Sequence, residues 1–254
     1  MTLDGLDSSI LGPAMAAGLL VLATHIPLGR EVLRRGIIFI DLAIAQIAGV
    51  GVLAAHVMHL SSNEQSVQMV AYGTALAGAV LLYVCERNWP DVQEAVIGSV
   101  FVVAASVGVL LLSDNPQAGE HLKELLVGQI LWVDYHQLLH ITIIYVVVLM
   151  LWQLLRGEQR RLLFYLLFAV TVTASVQLVG VYLVFASLII PALAVRRCTT
   201  GAVWLGMLMG VVGYAAGLLL SALLDLPSGA VIVLSLTVLG IIVSGVCASR
   251  TRRG

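Results

Sequence analysis

Residues 162–195 read LLFYLLFAVTVTASVQLVGVYLVFASLIIPALAV, a run of 34 positions without a charged side chain. An α-helix of about 20 apolar residues crosses a bilayer core about 30 Å thick, so this run is too long for one straight crossing. Arginine pairs flank it, Arg160–Arg161 before and Arg196–Arg197 after. Because arginines favour the cytoplasmic side, we expect the chain to cross outward and return, with a turn near Gly180. One tilted helix is the alternative.

The remainder of the chain is equally apolar. Of its 254 residues 60% are hydrophobic and 11% are charged, whereas soluble domains have about 45–50% and about 25%. We therefore predict an all-α polytopic membrane protein with eight or nine transmembrane helices in one domain over residues 1–254. Between the fourth and fifth spans, Leu125–Val133 is too short to cross and is expected at the outer surface or as a half-helix. The predicted spans lie near residues 9–29, 36–58, 67–85, 92–113, 136–155, 162–178, 180–195, 201–224 and 229–248.

Positive charge predicts the orientation. With the N-terminus outside and the C-terminus in the cytoplasm, 12 of the 13 lysines and arginines fall in cytoplasmic segments, and Lys123 is the exception. The three cysteines, Cys85, Cys198 and Cys247, lie near cytoplasmic span ends, so we expect free thiols. The twelve cytoplasmic residues are Arg30, Arg34, Arg35, Arg87, Arg156, Arg160, Arg161, Arg196, Arg197, Arg250, Arg252 and Arg253.

The commoner catalytic motifs are missing from the sequence. A nucleotide-hydrolysing P-loop requires a lysine after a glycine-rich turn, and the single lysine, Lys123, stands in the sequence HLKE. Neither a G-x-S-x-G nor an H-E-x-x-H motif occurs. The formal net charge of −1 leaves no basic surface for a nucleic acid. We predict that the chain is not an enzyme and binds neither a cofactor nor a nucleic acid.

Asp41 is a charged residue inside a predicted span. At a rise of 1.5 Å per residue it lies about 9 Å beyond Arg35, where an ionised carboxylate costs up to about 2.5–3.5 kcal/mol. Such a group usually faces a bundle interior or a watery path, so we predict a cation contact. The alternative is a structural aspartate paired with Arg34 or Arg35. Counting 100° per residue places Ala45 and Ala48 on the same helix face.

Two histidine pairs lie at the predicted outer side. His56 and His59 return close to the face of Asp41, one membrane thickness away. They are candidates for the same pathway or simply interfacial histidines. His136 and His140 are spaced i, i+4, so both imidazoles can converge on a divalent metal. Two imidazoles without a third ligand also describe ordinary interfacial histidines.

Four stretches stand out along the chain: LRR (33–35) leading into FID (39–41), EAVIG (94–98), LLVGQIL (125–131) and VGVYLVFASLIIPA (179–192). A fifth, LPSGA (226–230), precedes the last span. In order and spacing they resemble the membrane permeases of ABC-type importers for zinc, manganese or iron, and LPSGA is similar to the Leu-Pro-Thr-Gly turn of that family. The resemblance covers most of the chain.

The resemblance implies that this chain contributes the membrane pathway of a transporter. In such importers two permease copies form the pathway, a separate ABC ATPase subunit binds ATP, and an extracytoplasmic metal-binding protein delivers the ion. It implies a transmembrane permease domain in a bacterial inner membrane, with a divalent metal ion, zinc or manganese first, as the transported substrate. The ATPase would dock on two cytoplasmic loops, one at residues 30–35 and one at residues 196–200. The candidate contacts are the arginines of these loops: Arg30, Arg34, Arg35, Arg196 and Arg197.

Two positions depart from the family pattern. Family members usually carry a histidine four residues after the aspartate, where this chain has Ala45. They also insert a helical segment in the cytoplasmic loop that is reduced here to Arg156–Arg161. Asp41 alone would make an oxygen-type contact. The short loop suggests a second hypothesis, a permease-like protein uncoupled from an ATPase that acts as an ion-driven carrier or a non-transporting subunit. A membrane enzyme using Asp41 with His56 or His136 ranks last.

Overall fold

A computed structural model describes residues 8–58, 64–112, 128, 130–154, 159–198 and 201–251. These residues form helices and connecting turns, and no strand occurs among them. The predicted all-α class is therefore confirmed. The α-helices within these ranges number nine: α1 (Ser8–Arg35), α2 (Ile40–Val57), α3 (Glu64–Asn88), α4 (Gln93–Leu111), α5 (Tyr135–Leu154), α6 (Gln159–Val179), α7 (Val181–Ala194), α8 (Ala202–Leu224) and α9 (Ser228–Thr251).

Eight of these helices are long and apolar enough to cross a membrane, as the predicted eight or nine spans require. The exception is α7, whose 14 residues cover about 21 Å at 1.5 Å per residue, less than the roughly 30 Å of a bilayer core. The chain is a multi-pass membrane protein. Its orientation in the membrane stays a prediction.

Gly180 divides the long apolar run at the predicted position. Its φ of +80° and ψ of 163° are accessible to glycine and not to residues with a Cβ. Helix α6 therefore ends at Val179, and α7 begins at Val181 on the other side of Gly180. The Val184 N–H donates to the Gly180 carbonyl at 3.1 Å. The second half of the run is a separate helix, shorter than the full crossing that we expected.

One compact unit comprises Met1–Arg35, Leu126–Tyr145 and Leu178–Gly254. Within it α1 and α8 run antiparallel, as do α8 and α9. The contacts show this direction, since residue numbers rise along one helix as they fall along its partner. At each contact a small residue faces a larger one, which lets the helices approach closely. Gly29 lies so close to the Leu188 carbonyl that a Cβ would overlap it. The facing pairs are Gly18 with Tyr214, Leu22 with Gly210, Ile26 with Gly206, Gly213 with Leu236, and Gly217 with Ile232.

The other compact unit comprises Gly36–Leu125 and Val146–Gln177. Here α2 and α3 are antiparallel, with Gly51 against Thr74 and Ile47 against Gly78. Helices α2 and α4 are parallel, because contacts join Phe39 to Glu94 and Leu53 to Gly108, 14 residues further along each helix. The starts of α2 and α4 therefore meet at one end of this unit.

The segment before α5 was expected at the outer surface or as a half-helix. The structure describes Gly128 and residues 130–133 of it, and Ile130–Trp132 form one 3₁₀ turn. Ile130 is buried and Trp132 is exposed. Gly128 has a φ of +72°, and a Cβ there would overlap the backbone of Val179 and Gly180. The segment therefore packs on the α6–α7 break.

The expectation of three free thiols is wrong for two of them. Cys198 and Cys247 form a disulfide, with Cα atoms 5.6 Å apart, whereas Cys85 is free and buried. Compartment alone suggested reduced thiols. The packing of α9 brings two cysteines that are 49 residues apart in sequence within bonding distance.

Candidate functional site

Asp41 lies in the first turn of α2 and is 1% exposed. Both of its carboxylate oxygens are buried, and no side chain among the described residues donates a hydrogen bond to either, while the N–H groups of Asp41 and Leu42 lie beside the carboxylate. A buried carboxylate without partners is costly. The positive end of the α2 dipole lowers that cost, since a negative charge in the first helical turn is favourable. The side chain is thus a buried carboxyl group without a side-chain partner among the described residues, placed at the positive end of a helix dipole.

Glu94 lies in the first turn of α4, where that helix meets the start of α2. Its Oε1 accepts a hydrogen bond from the Phe39 N–H at 3.2 Å, so this carboxylate caps α2 from a neighbouring helix. Its Oε2 is buried and has no hydrogen-bond partner among the described residues. Asp41 lies within electrostatic range of Glu94. The site therefore combines two carboxylates and two helix N-termini.

The charge of the Asp41–Glu94 pair has a chemical consequence. Two neighbouring carboxylates repel each other, and in a low-dielectric setting this repulsion is stronger than in water. A cation between them removes the repulsion. Three carboxylate oxygens are buried and have no hydrogen-bond partner among the described residues: both of Asp41 and Oε2 of Glu94. A bound cation would give these oxygens a partner. Carboxylate oxygens suit hard divalent ions such as Mg²⁺, Ca²⁺ and Mn²⁺.

The predicted stripe along α2 is partly present. Ala45 and Ala48 are buried, as expected for the face of Asp41. His56 is exposed at the other end of α2, and its Nδ1 lies 2.8 Å from the Val52 carbonyl of its own helix. Fifteen residues of helix separate His56 from Asp41 by about 22 Å. These two residues therefore cannot bind one ion, and His59 lies outside the described residues.

His136 and His140 lie side by side at the start of α5. Their ring centroids are 4.7 Å apart, both residues are exposed, and Nδ1 of His140 lies 2.9 Å from the His136 carbonyl. The predicted convergence of the rings is present. In the described ranges, however, no group of three or more His, Cys, Asp or Glu side chains is placed to hold a metal. Their role as metal ligands stays a prediction.

The arginines predicted to receive an ATPase lie at one end of the first unit. Arg30, Arg34, Arg196 and Arg197 are exposed. Because α1 and α8 are antiparallel, the start of α8 and the arginines just before it lie level with the end of α1. Glu31 is buried, and its Oε1 forms salt bridges with Nη2 of Arg34 at 2.6 Å and with Nε of Arg35 at 2.8 Å. The two arginines offered as partners for Asp41 are thus held within α1.

Sequence reasoning missed Glu94 and Glu31 as site residues. Glu94 stands in one of the five quoted stretches, but only as part of a pattern. The available signal was position: each glutamate is an acidic residue at the end of an apolar run. Such residues usually face other protein groups rather than lipid.

Comparison with known proteins supports the architecture. Residues 7–160 and 155–247 match the ABC 3 transport family. The "Probable metal transport system membrane protein" of Chlamydia trachomatis is 23% identical over 62% of this chain and 63% of its own length. The "Probable iron transport system membrane protein" of Haemophilus influenzae is 26% identical over 56% of this chain and 60% of its own length. The matches thus span under two thirds of each relative.

A solved structure shares the fold over nearly the whole chain. The structure of PsaBC from Streptococcus pneumoniae in complex with Fab superposes with a TM-score of 0.75, covering 96% of this chain and 95% of that one at 17% identity. At that identity the likeness concerns the fold. The family match extends over most of the chain on both sides of the α5–α6 loop. The chain therefore belongs to the ABC 3 transport family.

Proposed function

We propose that this chain is the membrane permease subunit of an ABC importer for divalent metal ions. The buried Asp41–Glu94 pair supports this most strongly, because its open carboxylate oxygens at two joined helix starts are a cation site inside a membrane protein. The names of both curated relatives point to metal or iron transport. Asp41 and Glu94 contact the ion in passage, and waters or a second permease copy complete its coordination.

The donor set favours manganese over zinc. Zinc sites usually draw on nitrogen or sulfur ligands, whereas carboxylate and water oxygens suit Mn²⁺. Ala45 is buried on the face of Asp41, where the family pattern has an imidazole, so α2 offers oxygen only. His136 and His140 remain candidates for a first contact on the outer side.

The wider assembly is part of the proposal. Residues 1–254 form one transmembrane domain in the bacterial inner membrane, with the N-terminus outside and the C-terminus in the cytoplasm. Two copies form the pathway, an extracytoplasmic metal-binding protein delivers the ion, and a separate ATPase binds ATP. The exposed arginines at the end of α1 and before α8 would dock the ATPase. They lie at one end of one unit, as a cytoplasmic face requires.

The uncoupled carrier is the second candidate, because the α5–α6 loop is short. The loop falls partly outside the described residues, and α6 already begins at Gln159. Purification with bound partners separates the two hypotheses. Tagged protein extracted from native membranes under conditions that preserve a known ABC complex should retain a P-loop ATPase. A reproducible absence of that ATPase would favour the uncoupled carrier.

Reconstitution of the purified complex tests transport directly. Proteoliposomes loaded with ATP on the ATPase side should accumulate Mn²⁺, and an ATPase variant that cannot hydrolyse ATP should reduce uptake to the level of protein-free vesicles. Parallel measurements with Zn²⁺ and Fe²⁺ give the order of selectivity. Equal uptake with and without ATP hydrolysis would contradict the importer assignment.

Two substitutions at Glu94 separate its charge from its capping bond. Glu94→Gln keeps an oxygen for the Phe39 N–H, so we expect unchanged thermal stability, whereas Glu94→Ala loses the cap and about 1 kcal/mol. Both remove the charge, and we expect both to lower Mn²⁺ uptake about tenfold or more. Asp91→Ala, at an exposed carboxylate of the same region, is the control. Normal uptake by Glu94→Gln would show that Glu94 serves structure alone.

A further inference from the structure

The Cys198–Cys247 disulfide joins the turn that follows the short helix α7 to the last turns of the long helix α9. Cys198 follows α7 and is half-exposed, whereas Cys247 lies in the last turns of α9 and is 3% exposed. Their Cα atoms are 5.6 Å apart, within the usual range for a disulfide. One accessible and one buried sulfur form the arrangement of an attacking cysteine with a resolving partner.

This pair lies at the arginine-rich end of the first unit. Helices α8 and α9 are antiparallel, so Cys247 near the end of α9 lies level with the start of α8. Arg196 and Arg197 stand directly before Cys198 and are exposed. We call Val195–Cys198 the arginine corner. Cys198 thus belongs to the arginine corner, and the disulfide places Cys247 of α9 beside it.

The corner begins at a packed residue, because Val195 is 1% exposed and its side chain lies beside Gly206 of α8. Backbone hydrogen bonds hold it within its own turn, from Arg196 N–H to the Leu193 carbonyl at 3.4 Å and from Cys198 N–H to the Val195 carbonyl at 3.0 Å. Both bonds remain within residues 193–198. The covalent link from Cys198 adds a bond from the end of this turn to α9.

We propose that Cys198 and Cys247 form a reversible, redox-sensitive crosslink that fixes the arginine corner to α9 and so regulates coupling to the ATPase. The regulatory part rests on the proposed function, in which this corner docks the ATPase. In the cytoplasm thiols are kept reduced, and disulfides there are usually transient and redox-sensing. Both cysteines are thiols in the resting cell, and the disulfide forms when small disulfides accumulate.

The chemistry balances through thiol–disulfide exchange with a small disulfide such as oxidised glutathione. The Cys198 thiolate attacks one sulfur of that disulfide, forms a mixed disulfide and releases one glutathione thiolate. The Cys247 thiolate then attacks the Cys198 sulfur and releases the second. The two protons lost by the protein thiols are taken up by the two glutathiones. Excess reduced glutathione reverses both steps.

Thiol trapping in native membranes tests the crosslink without any ATPase. In a Cys85→Ala background, a polyethylene-glycol maleimide added to denatured protein should attach twice in samples from unstressed cells. After treatment with oxidised glutathione it should not attach, and dithiothreitol should restore both attachments. Two attachments after oxidation, or none in unstressed cells, would overturn the proposal, the second outcome because it marks a permanent structural disulfide.

Uptake by the reconstituted complex tests the regulation. Oxidised glutathione should change ATP-dependent Mn²⁺ uptake at least threefold in the parent protein, and dithiothreitol should reverse the change. Cys198→Ser and Cys247→Ser should each remove the response, while their uptake under reducing conditions stays normal. Reversible trapping with unchanged uptake would overturn the regulatory part alone. A complete lack of ATP-dependent uptake in reducing conditions would instead contradict the proposed function.

Discussion

Asp41→Asn is expected to lower ATP-dependent Mn²⁺ uptake on the order of 100-fold. Loss of a supporting group at a metal site typically costs 10–100-fold, and a ligand of the ion itself stands at the upper end. Asparagine has nearly the same shape as aspartate, so the packing of Ala45 and Ala48 beside it is preserved. Initial rates of uptake into proteoliposomes, measured at several Mn²⁺ concentrations, check the result.

The same substitution should leave the folded protein at least as stable. Both oxygens of Asp41 are buried without hydrogen-bond partners among the described residues, and a neutral amide removes the cost of burying a charge. A structural aspartate would behave in the opposite way, because its loss would lower stability. The thermal midpoint in detergent therefore accompanies the uptake measurement. Asp91→Asn, at an exposed position, is the matched control; full uptake by Asp41→Asn at equal expression would refute a role in the pathway.

Gly128→Ala is expected to destabilise the protein by about 3 kcal/mol or more. Two causes add at this residue. A φ of +72° costs a residue with a Cβ about 1–2 kcal/mol, and a Cβ would also overlap the backbone of Val179 and Gly180. Backbone cannot rotate away as a side chain can, so overpacking adds about 1–3 kcal/mol. At about 2–4 °C per kcal/mol, the thermal midpoint should fall by roughly 6–12 °C.

Gly36 offers a control for the conformational part alone. Its φ is also +72°, but no atom lies within 4 Å of the position that a Cβ would take. Gly36→Ala should therefore cost only about 1 kcal/mol. The difference between the two variants measures the contact between the Gly128 segment and the α6–α7 break. Equal midpoints for both variants would mean that this contact contributes nothing to stability.

Much of the fold follows from local pattern. Eight of the nine helices that the structure describes were predicted to within about four residues at each end, whereas α1 continues from the predicted end at residue 29 to Arg35. The pattern is informative because in a bilayer the backbone must satisfy its own hydrogen bonds, and helices do so segment by segment. Gly180 was identified as the break from an over-long run between two arginine pairs. The length of α7 was not predicted, since a helix buried among α1, α8 and α9 need not reach both membrane surfaces. Its neighbours set that length.

The candidate site was predictable only in part. Asp41 stood out because a charge inside an apolar run is costly wherever the helix packs. Glu94 did not, because its role depends on α4 starting beside α2, 55 residues away along the chain from Phe39. His56 is the opposite case. It lies close to the face of α2 that carries Asp41, but it is exposed and stands at the other end of the helix.

Sequence alone determined that this chain is a helical membrane protein, where its helices lie, and that Asp41 is an unusual residue, because these depend on hydropathy and charge along one dimension. Tertiary structure decided which distant groups meet: Glu94 with the start of α2, Gly128 with the helix break, and Cys198 with Cys247. Each of these contacts joins residues far apart in sequence and depends on how their segments pack. Hydropathy does not encode that geometry, because lipid-facing and protein-facing residues are both apolar.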